Sequence, residues 1–236
     1  MSVNLVVRLM LMIKVGIVPH EGIGGSLEWK TGSLQDFVHQ QFPATLRRSH
    51  ERLKLEKTFT ALNLHRIAGV EIKWTDNLTE HLQVMNDDKM MAVFRHASFL
   101  KAQLYNPLYP PGFIAETLRT ISLLFPQEDP TTRKWLLSIS KASKPPLDSH
   151  LFKAGFLATG ARQFEDFHFW HDRLVVLKQV YDEARPRRFS QWWYDRRHPV
   201  EWYAQWTAVL VILLTTFFGS VQCILAGIQV HLELRS

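Results

Sequence analysis

The sequence predicts a mainly α fold: a helical soluble body with a small strand–helix–strand element, plus one C-terminal transmembrane helix. Three observations carry that expectation. From Trp202 to Val230 the run WYAQWTAVLVILLTTFFGSVQCILAGIQV bears no formal charge. Through most of the preceding chain, apolar residues recur at intervals of three and four, the spacing of one helix face. Only around VEIKWT do they alternate in twos, with Val70, Ile72 and Trp74 on one side, as a half-buried strand requires.

The N-terminal stretch MSVNLVVRLMLMIKVGIVP is apolar, basic and free of acids until Glu21. A signal peptide places its charges before an unbroken apolar run and ends at small residues. Arg8 and Lys14 interrupt the run here, and no A-x-A-like site follows. A mitochondrial presequence would be more polar and richer in serine. We read the stretch as a buried strand or a short hydrophobic helix packed on the body.

Ser33 is placed to cap a short helix carrying Leu34, Phe37 and Val38, which Phe42-Pro43 ends. The basic stretch TLRRSHERLKLEK reads as a solvated helical face with Leu46, Leu53 and Leu55 beneath it. After the VEIKWT strand, DNLTEHLQ offers Leu78, Leu82 and Met85 to one helical face. Asn86-Asp87-Asp88-Lys89 is a turn, and MMAVFRHASFL fits a strand or a helix. The loop NPLYPPG leads to a helix from Phe113 to Phe125, with Ile114, Leu118, Ile121 and Phe125 in register. Asp129-Pro130 is a cap followed by a first-turn proline, opening a helix with Trp135, Leu136 and Ile139. SKPPLDS is a hinge-like loop. The longest periodic segment runs from about Arg162 to Ala184, with Phe164, Phe167, His171, Leu174 and Tyr181 along one face, and Arg185-Pro186 ends it.

The apolar run near the C-terminus meets the length a membrane demands. About 20 apolar residues cross a hydrocarbon core of about 30 Å, and Thr207 to Ile228 supplies them with length to spare for tilt. Trp192, Trp193, Tyr194, Trp202, Tyr203 and Trp206 gather before it, where amphipathic rings sit at headgroup level. Arg185, Arg187, Arg188, Arg196 and Arg197 lie among and before them. This bias predicts a body in the cytosol, with insertion after translation in the manner of tail-anchored proteins. It also predicts that residues 185–197 bind anionic lipid headgroups. The expected organisation is an N-terminal apolar segment (1–31), a mostly helical cytosolic domain (32–184), a basic and aromatic juxtamembrane segment (185–203), the transmembrane helix (204–230) and a short tail (231–236). Within the span, Thr215, Gly219, Cys223 and Gly227 recur every four residues, a stripe of small side chains on which a second helix could pack to form a homodimer.

Composition sets outer bounds. The 236 residues are 46% hydrophobic and 21% charged, which excludes a disordered chain. The mean hydropathy of −0.11 averages an apolar span with a polar body. Net charge is +6, favouring anionic partners, and the position of the arginines selects a membrane surface over nucleic acid. The single cysteine, Cys223, excludes an intrachain disulfide and lies inside the apolar run, away from any thiolate chemistry in water.

GVEIKWTDNLTEHLQ, the later FRHASFL, and DRLVVLKQVYDEARPRRFSQWWYDRRHPVEWY with the span after it resemble an uncharacterised family of fungal membrane-anchored proteins. The resemblance covers roughly residues 60–230 and leaves out the N-terminus. It implies a helical body and a C-terminal anchor. It transfers no catalytic or binding residue.

Chemistry is sparse. There is no G-x-x-x-x-G-K-[ST], no G-x-S-x-G and no H-E-x-x-H. GIGGS at residues 22–26 lacks the lysine of a phosphate loop and reads as a flexible turn. EDFHFWHD places His168 and His171 beside Glu165, Asp166 and Asp172, but two histidines fall short of the three or four ligands of a zinc site. His65, His81 and His96 fall within one short stretch without regular spacing. Trp74 and Trp135 read as core residues. No catalytic residue, metal or cofactor is expected. The functional expectation is a non-enzymatic module that holds a protein partner at a membrane surface. The alternatives are a winged-helix-like nucleic-acid or protein-binding unit, or a membrane enzyme whose site is assembled from scattered residues.

Overall fold

A computed structural model describes residues 2–16, 27–29, 31–45, 54–184 and 199–233. The fold is mainly helical, with one small three-stranded sheet and one long apolar C-terminal helix. The chain divides into two units, Met1–Arg188 and Phe189–Ser236.

The first unit opens on α1 (Ser2–Leu11), whose Val7 and Leu11 enter the core. Ile13 and Val15 follow them, and Val15 bridges Leu27. Two long-range bonds fasten this segment: the Tyr109 hydroxyl donates to Leu11 O at 2.7 Å, and the Leu78 N–H to Met12 O at 2.8 Å. The described part of residues 1–31 is therefore built into the first unit rather than standing apart. Helix α2 (Leu34–Gln41) starts where Ser33 Oγ accepts the Asp36 N–H at 3.0 Å, and buries Phe37 and Val38. Leu55 is fully buried, while residues 46–53 of the basic stretch lie outside the described residues. Helix α3 (Ala61–Arg66) is capped by Thr60.

Strands β1 (Glu71–Thr75), β2 (Val84–Met85) and β3 (Met90–Phe94) form a sheet in the order β1-β3-β2. The middle strand runs parallel to β1, pairing Ile72 with Met91 and Trp74 with Val93, and antiparallel to β2. Its apolar sequence MMAVF suits the centre of the sheet, where Met91 to Phe94 are buried. Asn86, Asp87 and Asp88 all take left-handed backbone conformations in the β2–β3 turn (φ 53°, 57° and 62°), which short polar side chains tolerate best among non-glycine residues.

The remaining helices are α4 (Ala97–Ala102), α5 (Phe113–Leu124), α6 (Pro130–Ala142) and α7 (His171–Glu183). Asp129 caps α6 by accepting the N–H groups of Thr131 and Thr132, and Pro130 occupies its first turn. Burial pushes the Asp129 carboxyl up, but hydrogen bonds from the two threonines outweigh it and hold the group below its ordinary value. Helix α5 is buried on nearly every side, and the rest of the unit is arranged around it.

Three expectations need correcting. DNLTEHLQ forms only one 3-10 turn (Leu78–Glu80), because the chain must double back for β2 to reach β3. Asn77 enforces the turn: its Oδ1 accepts the Thr79 N–H and, from far upstream, the Lys14 N–H. Where a winged-helix unit would carry a recognition helix there are three residues. MMAVFRHASFL is a strand and then a helix. The change comes at Arg95 and His96, which both bond Asp76. The long periodic segment does not begin its helix at Arg162. It passes through two 3-10 turns, Thr159–Arg162 and Phe164–Asp166, before α7 starts at His171. Side chains of α5 bind its backbone groups first: Arg119 takes the carbonyls of Ala161 and Asp166, and Glu116 takes three N–H groups just before α7.

The second unit is described as one helix, α8 (Pro199–Glu233). Within it, Trp206–Ile228 is long and apolar enough to cross a membrane, with mean hydropathy 2.3 and none of that window buried. Its hydroxyls are satisfied along the helix itself. Thr207, Thr215, Thr216 and Ser220 each donate to the carbonyl four residues back at 2.7–2.8 Å. A hydroxyl so bonded can face hydrocarbon without leaving a donor unmet.

Candidate functional site

The densest polar arrangement among the described residues lies on α5 and joins it to the sheet region and to the start of α7. Glu116, 5% exposed, accepts the His168 N–H with Oε2 at 2.8 Å and those of Phe169 and Trp170 with Oε1 at 2.8 and 2.9 Å. The next residue is Thr117, whose Oγ1 accepts the Trp170 indole N–H at 2.9 Å and donates to Phe113 O. Trp170 meets the His81 ring edge-on at 4.9 Å, and the Arg173 guanidinium lies over the Trp170 ring at 5.2 Å from the centroid.

His81 is fully buried. Its Nδ1 accepts the Phe94 N–H at 3.2 Å, so the proton sits on Nε2, which donates to Thr120 Oγ1 at 2.7 Å. Thr120 passes its own proton to Thr117 O. Burial pushes the imidazole down to about 3, and the nearby Arg173 charge adds to that. Arg173 donates to Thr79 O at 2.7 Å and also to His81 O. Burial lowers Arg173 as well, against the opposing pull of Glu80. The next residue, Leu82, is buried yet left-handed at φ 61°, a conformation that costs about 1 kcal/mol or more outside glycine. It is retained because the Leu82 N–H must reach Ala92 O at 2.8 Å while its side chain fills the core.

The chains of donors through Trp170, His81 and Arg173 end on backbone carbonyls, and the backbone donors before α7 end on the Glu116 carboxylate. The neutral imidazole has both nitrogens engaged, and the two threonine hydroxyls are spent. Such an arrangement holds the sheet region, α5 and the start of α7 together.

The histidines singled out in the sequence do not converge. His65 Nδ1 lies 3.2 Å from Val70 O, His81 is in the buried network, and His96 Nε2 is 2.6 Å from Asp76 Oδ1 at the surface. Asp76 also takes both Arg95 donors, at 2.5 and 3.0 Å; partial burial raises its carboxyl, and these bonds and charges outweigh that and lower it. His168 stands 4.0 Å from Glu116, and His171 pairs with Asp172 at 3.2 Å. Among the described residues no three His, Cys, Asp or Glu side chains group closely enough to hold a metal ion. Trp74 and Trp135 are half-buried and stack on Phe125 and His65; among the described residues Trp170 is the fully buried tryptophan.

Of the membrane-interface residues, Arg185, Arg187, Arg188, Trp192, Trp193, Tyr194, Arg196 and Arg197 lie outside the described residues. Trp202 belongs to α8, and Trp206 stands four residues on at the start of the apolar window. Thr215, Gly219, Cys223 and Gly227 do fall along one helix. Cys223 is exposed, and a methyl group added at Gly219 or Gly227 would meet nothing within 4 Å.

No family model, curated protein or solved structure matches this chain.

Sequence reasoning missed Glu116, Thr117, Thr120, Trp170 and Arg173. One signal was present. In FIAETLRTISLL the polar residues Glu116, Thr117, Arg119, Thr120 and Ser122 are interspersed with apolar ones. A helix of that composition is buried over most of its surface, and the polar groups on its buried sides must find internal partners.

Proposed function

We propose that this chain is a membrane-anchored protein whose helical body, held at the cytosolic face, works by binding a protein partner rather than by catalysis. One observation carries the reading: 23 consecutive residues of mean hydropathy 2.3, of which none is buried. A core helix of that composition would be covered by its own protein. The satisfied hydroxyls along the helix support lipid as its surroundings. The cluster of five arginines from Arg185 to Arg197 supports the orientation, since basic residues flanking a span stay on the cytosolic side. Anionic headgroups are its expected counterions.

The test is alkaline carbonate extraction of the full chain expressed in cells. The protein stays with the membrane pellet, whereas Leu213→Arg, which costs about 3 kcal/mol of insertion free energy, moves a substantial fraction to the supernatant. Release of the unaltered chain by carbonate overturns the reading.

A further inference from the structure

We propose that the outward face of α1 lies on an anionic bilayer surface, giving the body a second contact with the membrane. The inference rests on the membrane-anchor reading and adds to it a site that the span does not supply.

Helix α1 faces the wrong way for a helix in water. Val7 and Leu11 point into the core, and Val3, Leu5, Val6, Leu9 and Met10 are 51–66% exposed. At about 100° per residue these five occupy one arc of roughly 160°, which Arg8 and Asn4 lie outside and which Ser2 of the first turn shares. An outward helix face is normally polar, and a contiguous apolar patch marks a surface that something covers.

The helix is held firmly in that pose. Arg8 Nε donates to Val15 O at 2.6 Å and its Nη2 to Gly16 O at 2.9 Å. Gly16 permits the close approach: it sits at φ +80°, and a Cβ there would fall 2.6 Å from Asn4 Nδ2. The apolar arc is thus presented by a fixed element and not by a fraying end.

Three facts select lipid as the occupant. The ten-residue helix is about 15 Å long, too short to cross a bilayer but suited to lying in its interface. Charge within α1 is of one sign: Arg8 is its one ionisable side chain, and no acid precedes Glu21 in the sequence. The apolar run of α8 also confines the body, since the chain from Ala184 to Trp206 reaches at most about 75 Å. At that effective concentration a weak interfacial helix suffices.

The experiment uses the full chain with Cys223→Ser and Leu9→Cys, labelled with an environment-sensitive fluorophore and reconstituted into phosphatidylserine–phosphatidylcholine vesicles. A second protein carries the label at Leu213→Cys within the span. The expected result is quenching of the Leu9 label by lipid-borne nitroxide, with protection from aqueous iodide. Adding Leu5→Glu and Val6→Glu, both at exposed positions, restores iodide quenching several-fold without changing the circular dichroism. Iodide quenching at Leu9 together with nitroxide quenching at Leu213 overturns the α1 proposal and leaves the anchor standing. Failure of nitroxide to reach Leu213 overturns both. Energy transfer between Leu9 labels on different molecules, with no lipid quenching, assigns the face to a second copy and overturns the proposal.

Discussion

Glu116 Oε1 accepts the Trp170 backbone N–H at 2.9 Å across 54 residues of sequence, fixing the point at which α7 begins. The same carboxyl group binds the two preceding N–H groups, so one side chain serves the N-cap donor of α7 and the two donors that lead into it.

Removing that carboxyl should therefore cost more than an ordinary buried substitution. Glu116→Ala leaves three backbone donors without a partner, at about 1–3 kcal/mol for each that stays dry. A loss of at least about 3 kcal/mol is expected, with Glu116→Gln less severe because Oε1 retains its two donors. Guanidinium unfolding followed by tryptophan fluorescence measures both. An unchanged midpoint for the alanine variant would show that the carboxyl is not what holds α7.

His81 predicts an acid sensitivity. Its folded value of about 3 lies below the 6.5 of the free side chain, so the unfolded chain binds a proton that the folded chain refuses. Stability from this residue is complete above pH 6.5 and is lost as pH falls from there towards 3, at up to about 1.4 kcal/mol per pH unit. Between pH 7 and 5 the loss is about 2 kcal/mol. His81→Asn keeps an acceptor for the Phe94 N–H but does not titrate. It should be less stable at pH 7 and show a flatter profile. Parallel pH profiles for the two proteins would refute this account.

The arginines before the span should act through charge. Neutralising Arg185, Arg187 and Arg188 in a peptide of residues 185–201 weakens its binding to anionic vesicles by roughly 1 kcal/mol per residue at low salt. Neutral vesicles show little difference. Binding that ignores both salt and lipid charge would remove the electrostatic explanation.

The small residues of the span offer a test of self-association. With Thr215, Gly219, Cys223 and Gly227 against a second copy, mild oxidation in membranes crosslinks Cys223 to its twin. Gly219→Ile with Gly227→Ile abolishes the crosslink, because each new side chain enters space that is open in the single helix. Retention of the crosslink in the double variant would exclude this face as the interface.

Local signals in the sequence were read well where one residue decides the structure. Ser33 and Asp129 mark helix starts because their short side chains accept the first free N–H groups. The apolar run of α8 is legible because it needs no partner within the chain. The failures share a cause. Apolar spacing at Phe164 and Phe167 looks helical, but Arg119 and Glu116, some 50 residues earlier, bind the backbone groups a helix there would need. Leu78 and Leu82 have helical spacing too, and Asn77 bonding Lys14 turns the chain elsewhere. The buried network shares that character: His81, Thr120 and Trp170 acquire their roles only when three distant segments meet.

That dependence on distant segments has a consequence for the order of events on the ribosome. Arg173 comes from the last helix of the body and Trp170 caps it, so the bonds to Thr79, His81, Thr117 and Glu116 cannot close until α7 is available. Only about twenty further residues separate Glu183 from the start of the apolar window at Trp206. The ribosomal exit tunnel encloses a longer stretch than that, so α7 is still inside it while the window is being made. The network around α5 therefore closes only as the apolar run itself is about to emerge.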